Sequence, residues 1–206
     1  MIKNIIFDVG KVLIDWEPYS TMRELGFSEA AIDAIRKNLF ESNAWSEEDR
    51  GLMTPVEMED YLVSFIPEYE REVRLFYKHA TDSIMPRSYV IPWIKALKQA
   101  GFNTYVLSNF GGEAMKRGVQ MGGINFLDQL DGYLFSYEIH KVKPEPEIYT
   151  ALFERYNLTP SECIFIDDLP INIEGGKAAG MDGIVFETFE QVCNDLRALG
   201  VEFTLQ

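Results

Sequence analysis

Apolar residues fall along this chain in short unbroken runs, each stopped by a small or acidic residue, and that pattern predicts strands. The runs are Ile5-Ile6-Phe7 before Asp8 and Thr104-Tyr105-Val106-Leu107 before Ser108-Asn109. Gly132-Tyr133-Leu134-Phe135 stops at Ser136, and Cys163-Ile164-Phe165-Ile166 stops at Asp167-Asp168. A fifth run is Gly183-Ile184-Val185-Phe186. None alternates strictly between apolar and polar, as suits parallel strands buried on both faces. Helical spacing separates the later runs. Residues 88–100 place Val90, Ile91, Ile94 and Leu97 on one side, with Gly101 as a stop. Residues 146–156 carry Ile148, Leu152 and Phe153, and residues 170–179 open at Pro170 and close before Gly180. Strand and helix in alternation predict an α/β fold with a doubly wound parallel sheet of the Rossmann-like kind.

One interval breaks the alternation. After the first strand, about seventy residues show helical texture and no strand, far more than an ordinary loop. Residues 29–40, 55–65 and 68–80 read as amphipathic helices. The expected organisation is an α/β core from residues 1–15 and 87–206, with a helical lobe, residues 16–86, inserted after the first strand.

Composition narrows the partners. The 206 residues carry 33 acidic against 19 basic side chains, a net charge of -14. Such a surface argues against nucleic acid and against an anionic membrane, both polyanions. A small anionic substrate stays open, because a few local donors can outweigh the far field. Cys163 and Cys193 make no disulfide framework and read as buried free thiols. The N-terminal apolar run is broken by Asp8 and Lys11, unlike a signal peptide, and no stretch reaches the ~18 apolar residues that span a bilayer. The expected compartment is the cytoplasm. Composition assigns no oligomeric state.

The strand ends carry the candidate chemistry. Open α/β sheets bind ligands at the carboxyl ends of their strands, where strand order reverses. Here those ends read Asp8, Ser108-Asn109 and Asp167-Asp168, joined by the loop Lys141-Val142-Lys143-Pro144-Glu145-Pro146. Carboxylates gathered at one edge repel unless a cation sits among them. Hard oxygen donors with no nearby Cys or His favour Mg²⁺ over zinc. Asp8 is then placed to attack phosphorus, with Ser108, the Asn109 amide and Lys143 on the remaining phosphate oxygens.

The order Phe7-Asp8-Val9-Gly10-Lys11-Val12-Leu13, then Val106-Leu107-Ser108-Asn109, then Lys143-Pro144-Glu145-Pro146-Glu147-Ile148-Tyr149, then Phe165-Ile166-Asp167-Asp168 resembles the haloacid dehalogenase (HAD) superfamily. The resemblance covers nearly the whole chain outside the insert, which is similar to the small helical cap of that superfamily's first cap type. It implies a nucleophile and metal ligand at Asp8, a main-chain metal oxygen at Gly10 and a phosphate-binding hydroxyl at Ser108. It further implies a neutralising cation at Lys143 and metal-binding acids at Asp167 and Asp168. Asn172 is implied to orient Lys143 or a metal-bound water. The implied activity is a Mg²⁺-dependent phosphatase for a small phosphorylated metabolite such as a sugar phosphate, similar to the glucose-1-phosphate type. One position departs: phosphatases of the superfamily carry a second Asp two residues after the nucleophile, and this chain has Gly10. Asp15 or a residue of the insert is the alternative source of an acid.

Two other readings stand beside this one. A 2-haloacid dehalogenase would use Asp8 against carbon without a metal, leaving Asp167-Asp168 without a purpose. A non-catalytic binding protein would follow from the missing acid at position 10. Of the remaining features, His79 and His140 receive no role, and the run Glu47-Glu48-Asp49-Arg50 reads as a solvated face. Trp45 and Arg50-Gly51 lie in an expected cap turn, where a planar cation and an aromatic ring could meet a polar substrate.

Overall fold

A computed structural model describes residues 1–205. Its centre is a five-stranded sheet of β1 (Asn4–Phe7), β4 (Asn103–Ser108), β5 (Gly132–Phe135), β6 (Cys163–Asp167) and β7 (Asp182–Val185), in the order β5-β4-β1-β6-β7. Every pairing in it is parallel. The five expected apolar runs are these strands.

Alternate residues of each strand feed two cores. Ile5, Phe7, Val106, Ile164 and Ile166 face one way, against α6 (Val90–Gln99) and α11 (Phe189–Ala198). Ile6, Tyr105, Leu107, Leu134 and Phe165 face the other, against α9 (Pro146–Tyr156) and α10 (Pro170–Ala178). Covered on both sides, the strands have no face that needs polar residues, which is why they read as unbroken apolar runs. Both cysteines are buried and free. Two of the longer core helices lay outside the expected set. The first, α7 (Gly112–Gln120), has only Met115 and Gly118 buried, so it shows almost no apolar stripe. In α11, by contrast, Thr188 and Gln191 form a capping box, a signal readable in the sequence.

Chain order along the sheet reverses at β1, which lies between β4 and β6. The crevice beyond the carboxyl ends of these strands is where such a fold places its ligand. Register aligns the ends: Phe7 pairs with Val106 on one side and Ile166 on the other. Asp8, Ser108 and Asp167 therefore emerge at nearly one level.

Between β1 and β4 the chain leaves the sheet. Short strands β2 (Ile14–Asp15) and β3 (Met85–Pro86) pair antiparallel and bring the outgoing and returning chains together. The Arg87 backbone N–H donates to Leu13 O, Arg87 pairs with Asp15, and Trp16 Nε1 donates to Ala80 O at 2.6 Å. Between these strands lie α1 (Pro18–Glu24), α2 (Glu29–Ile35), α3 (Ser46–Arg50), α4 (Pro55–Phe65) and α5 (Glu70–His79). They enclose a separate apolar cluster that includes Met22, Ile35, Leu39, Met58, Leu62, Val73 and Phe76. The expected helix over residues 29–40 ends at Ile35 and continues as a π-helical turn, Arg36–Phe40. No helix among the described residues is long and apolar enough to cross a membrane.

Candidate active site

Asp8 lies one residue beyond β1, its backbone N–H donating to Ile166 O at 2.8 Å. Asp8 is 7% exposed, and its chain neighbours Phe7 and Val9 are fully buried. A carboxylate there needs a partner, and Lys143 supplies it. Lys143 Nζ donates to Asp8 Oδ1 at 2.7 Å and to Asp167 Oδ2 at 2.6 Å. Lys141, two residues earlier, instead meets Glu147 at the surface. Burial works against the Lys143 ammonium, yet Asp167 and Asp8 together hold its pKa above the ordinary lysine value. Two acids share one cation, and the cost falls on Asp8, whose pKa is raised by burial and by Asp167 against the pull of Lys143.

Asp167 is fully buried. Its Oδ1 accepts from the Leu169 N–H at 2.8 Å, and the Asn172 amide donates to both carboxylate oxygens at 3.0 Å. Asn172 thus acts on Asp167, and on Lys143 only through it. Tyr149 Oη donates to Asn172 O and ties α9 to α10 behind the site. Asp168 is the more open acid, and Lys11 Nζ meets its Oδ2 at 3.0 Å. One ligand oxygen from each of Asp8, Asp167 and Asp168 lies within 4.8 Å of the others. Gly10 O accepts from the Val12 N–H at 2.7 Å, and a Cβ on Gly10 would sit 3.8 Å from Asp8 Oδ2. The bare position is therefore directly beside the carboxylate.

Ser108 ends β4, is 1% exposed, and its hydroxyl acts on the Asp8 carboxylate, favouring the ionised form. Asn109 reaches the Lys143 loop. Its Oδ1 accepts from the Lys143 N–H at 2.7 Å and its Nδ2 donates to Lys143 O at 3.1 Å. The side-chain amide of Asn109 thus fixes the backbone that presents Lys143.

Residues 2–180 match the family of haloacid dehalogenase-like hydrolases. The chain belongs to that family. A sesquiterpene phosphatase of Aspergillus oryzae is 25% identical over 202 residues, covering 96% of each chain. A D-ribitol-5-phosphate phosphatase of Bacteroides thetaiotaomicron is 26% identical over 202 residues, covering 92% of each. The fold matches a HAD family enzyme of the same bacterium, solved with magnesium and inorganic phosphate, at a TM-score of 0.70 and 22% identity over 93% of this chain and 99% of that one.

The insert of this HAD-like hydrolase touches the site through α3. Arg50 donates to both carboxylate oxygens of Glu145, at 3.2 and 2.9 Å, and to His140 O. His140 Nδ1 in turn lies 3.0 Å from Arg50 O. The guanidinium expected to meet substrate is therefore committed to the core. Trp45 packs among Phe40, Phe76 and Tyr77 inside the insert. Asp15 pairs with Arg87 at the β2–β3 junction. Sequence reasoning overlooked three residues. Ser136 heads α8 (Ser136–Ile139), Glu145 follows the Lys143 loop, and Asp49 is the acid of α3 whose carboxyl feels both Asp8 and Lys143. Asp49 sits in a run of charges that, by pattern alone, looks like a wet surface.

Proposed function

We propose that this HAD-like hydrolase is a Mg²⁺-dependent phosphatase acting on a small phosphorylated metabolite, a sugar or polyol phosphate, through an aspartyl-phosphate on Asp8. One observation carries the reading: a single buried ammonium, Lys143, bridges Asp8 and Asp167, while Asp168 adds a third acid within 4.8 Å. Three carboxylates face two ammonium groups, Lys143 and Lys11, so the cluster keeps an excess negative charge that a hard cation neutralises. The donor set is all oxygen, as Mg²⁺ prefers. Asp8, Asp168 and Gly10 O would hold the ion, with Asp167 beside it. Bound there, Mg²⁺ supplies positive charge to a phosphate oxygen. Asp8 attacks phosphorus, Ser108 and Lys143 bind the remaining oxygens, and the closed insert, residues 16–86 acting as a cap, excludes bulk water.

The phosphatase names of the full-length relatives support the substrate class, and the solved neighbour with magnesium and phosphate supports the ion. A dehalogenase would have no use for the third acid. The test is phosphate release from a panel of sugar and polyol phosphates with Mg²⁺, with EDTA and with Asp8→Asn. Release that needs Mg²⁺ and vanishes in the variant is the expected result. Release that survives EDTA overturns the metal assignment, and no release from any substrate overturns the reading.

A further inference from the structure

Transfer of phosphorus to Asp8 needs a proton for the leaving oxygen, and hydrolysis of the aspartyl-phosphate needs a base for water. Nothing at the sheet edge is free to serve. Lys143 and Asp167 hold each other, Asp168 is held by Lys11, and Gly10 has no side chain. We propose that Asp49, delivered by α3 of the insert, is the general acid and then the general base of this site. The proposal rests on the phosphatase reading above.

Placement comes from contacts on both flanks. Ser136 Oγ donates to the Asp49 carbonyl and accepts from the Phe110 N–H at 2.9 Å, two residues beyond Ser108. The next residue, Arg50, clasps Glu145, two residues beyond Lys143. Gly51 then turns away at φ 68°, so close to α8 that a Cβ would come within 2.8 Å of Tyr137 Cβ. Asp49 is thus strung between the two segments that present the Ser108 hydroxyl and the Lys143 ammonium.

Its carboxyl is also the uncommitted one. Glu47 is paired with Arg50, Glu48 accepts from Tyr77 Oη at 2.8 Å, and Glu145 is held by Arg50. Among the described residues, no hydrogen bond or ion pair engages the Asp49 carboxyl oxygens. Burial, with Glu48 and Asp8 adding to it and Lys143 opposing, pushes its pKa up to about 8.

The two steps balance. An Asp8 carboxylate oxygen bonds to phosphorus as the bond from phosphorus to the leaving oxygen breaks, and that oxygen takes the Asp49 proton. Water then bonds to the same phosphorus and gives a proton to the Asp49 carboxylate. The Asp8–phosphorus bond breaks, releasing inorganic phosphate and restoring both side chains.

Asp49→Asn tests this with two probes, phenyl phosphate, whose leaving group needs a proton, and dinitrophenyl phosphate, whose leaving group does not. The readout is the pre-steady-state burst of phenol or dinitrophenolate in Mg²⁺. The expected loss is about 10²–10⁴-fold for phenyl phosphate, with a near wild-type burst from dinitrophenyl phosphate followed by slow turnover. Equal losses on both probes, or no loss on either, overturn the proposal and leave the phosphatase reading intact. A wild-type protein that releases phosphate neither from these probes nor from the sugar and polyol phosphates overturns the reading and the proposal together. Should Asp49→Asn fail to fold, Asp49→Ser carries the same comparison.

Discussion

Lys143 Nζ lies 2.6 Å from Oδ2 of Asp167, and neither side chain is more than marginally accessible to solvent. With the Leu169 N–H and the Asn172 amide also donating to it, Asp167 has its oxygens largely satisfied by protein. Asp167 therefore aims Lys143 at Asp8. Asp168, whose surface partner Lys11 is mostly exposed, keeps an oxygen that can be released to a ligand.

Lys143→Met removes the cation and leaves Asp8 and Asp167 buried without a partner. Breaking a buried pair in this way costs about 3–5 kcal/mol. Urea unfolding in EDTA is expected to show that loss, and added Mg²⁺ to restore part of it, while phosphate release stays absent. An unchanged midpoint in EDTA would show that the bridge does not hold the fold.

Asp168→Asn and Asp167→Asn are expected to fail in different ways. The first keeps the stability of the metal-free protein and loses the rise in melting temperature that Mg²⁺ brings, since only binding to the folded state shifts the midpoint. The second is destabilised already in EDTA, because a neutral amide cannot balance Lys143. Melting curves with and without Mg²⁺ separate the two. A full Mg²⁺ response in Asp168→Asn would remove that residue from the metal site.

Those assignments show how much of the site is legible before folding. The strands announce themselves because both faces are covered, and the motif residues Asp8, Ser108 and Asp167 stand at the ends of those runs. The interval after β1 reads as helical spacing, and α1 to α5 lie there between β2 and β3. What could not be read is what tertiary contact decides. The hold of the Asn109 amide on the Lys143 backbone is one such contact. Arg50 looks available until Glu145 arrives from 95 positions away. Asp49 differs from Glu47, paired with Arg50, and from Glu48, bonded to Tyr77, in having no such partner, and no local pattern marks that difference.

Asn109→Ala removes two hydrogen bonds that fix the Lys143 backbone, at 2.7 and 3.1 Å. The expected stability loss is about 1–3 kcal/mol, since each deleted bond leaves a buried backbone group unpaired. Activity is expected to fall mainly in kcat, because a displaced Lys143 serves the transition state more poorly than the bound substrate. A change confined to KM would show instead that Asn109 contacts substrate.

The contact between Arg50 and Glu145 joins insert to core, and its pH response follows from Glu145. The Arg50 guanidinium is the first cause holding that carboxyl below its ordinary 4.5, with burial opposing and the Val142 N–H adding to the effect. A carboxylate with a lowered folded pKa stabilises the protein above its unfolded value and loses that contribution as pH falls through the folded one. Glu145→Gln is therefore expected to melt below wild type near neutrality, and the gap to close as pH falls through the lowered Glu145 pKa. The pair is partly exposed, so the neutral-pH gap is small, about 0.5–1 kcal/mol, and shrinks with salt. Local opening is the more sensitive readout. Amide exchange in α3 is expected to accelerate about 2–5-fold in Glu145→Gln at neutral pH, with α9 and α10 unchanged. Exchange in α3 that ignores the substitution would mean that Ser136 and the close packing of Gly51 on Tyr137 hold the insert down without it.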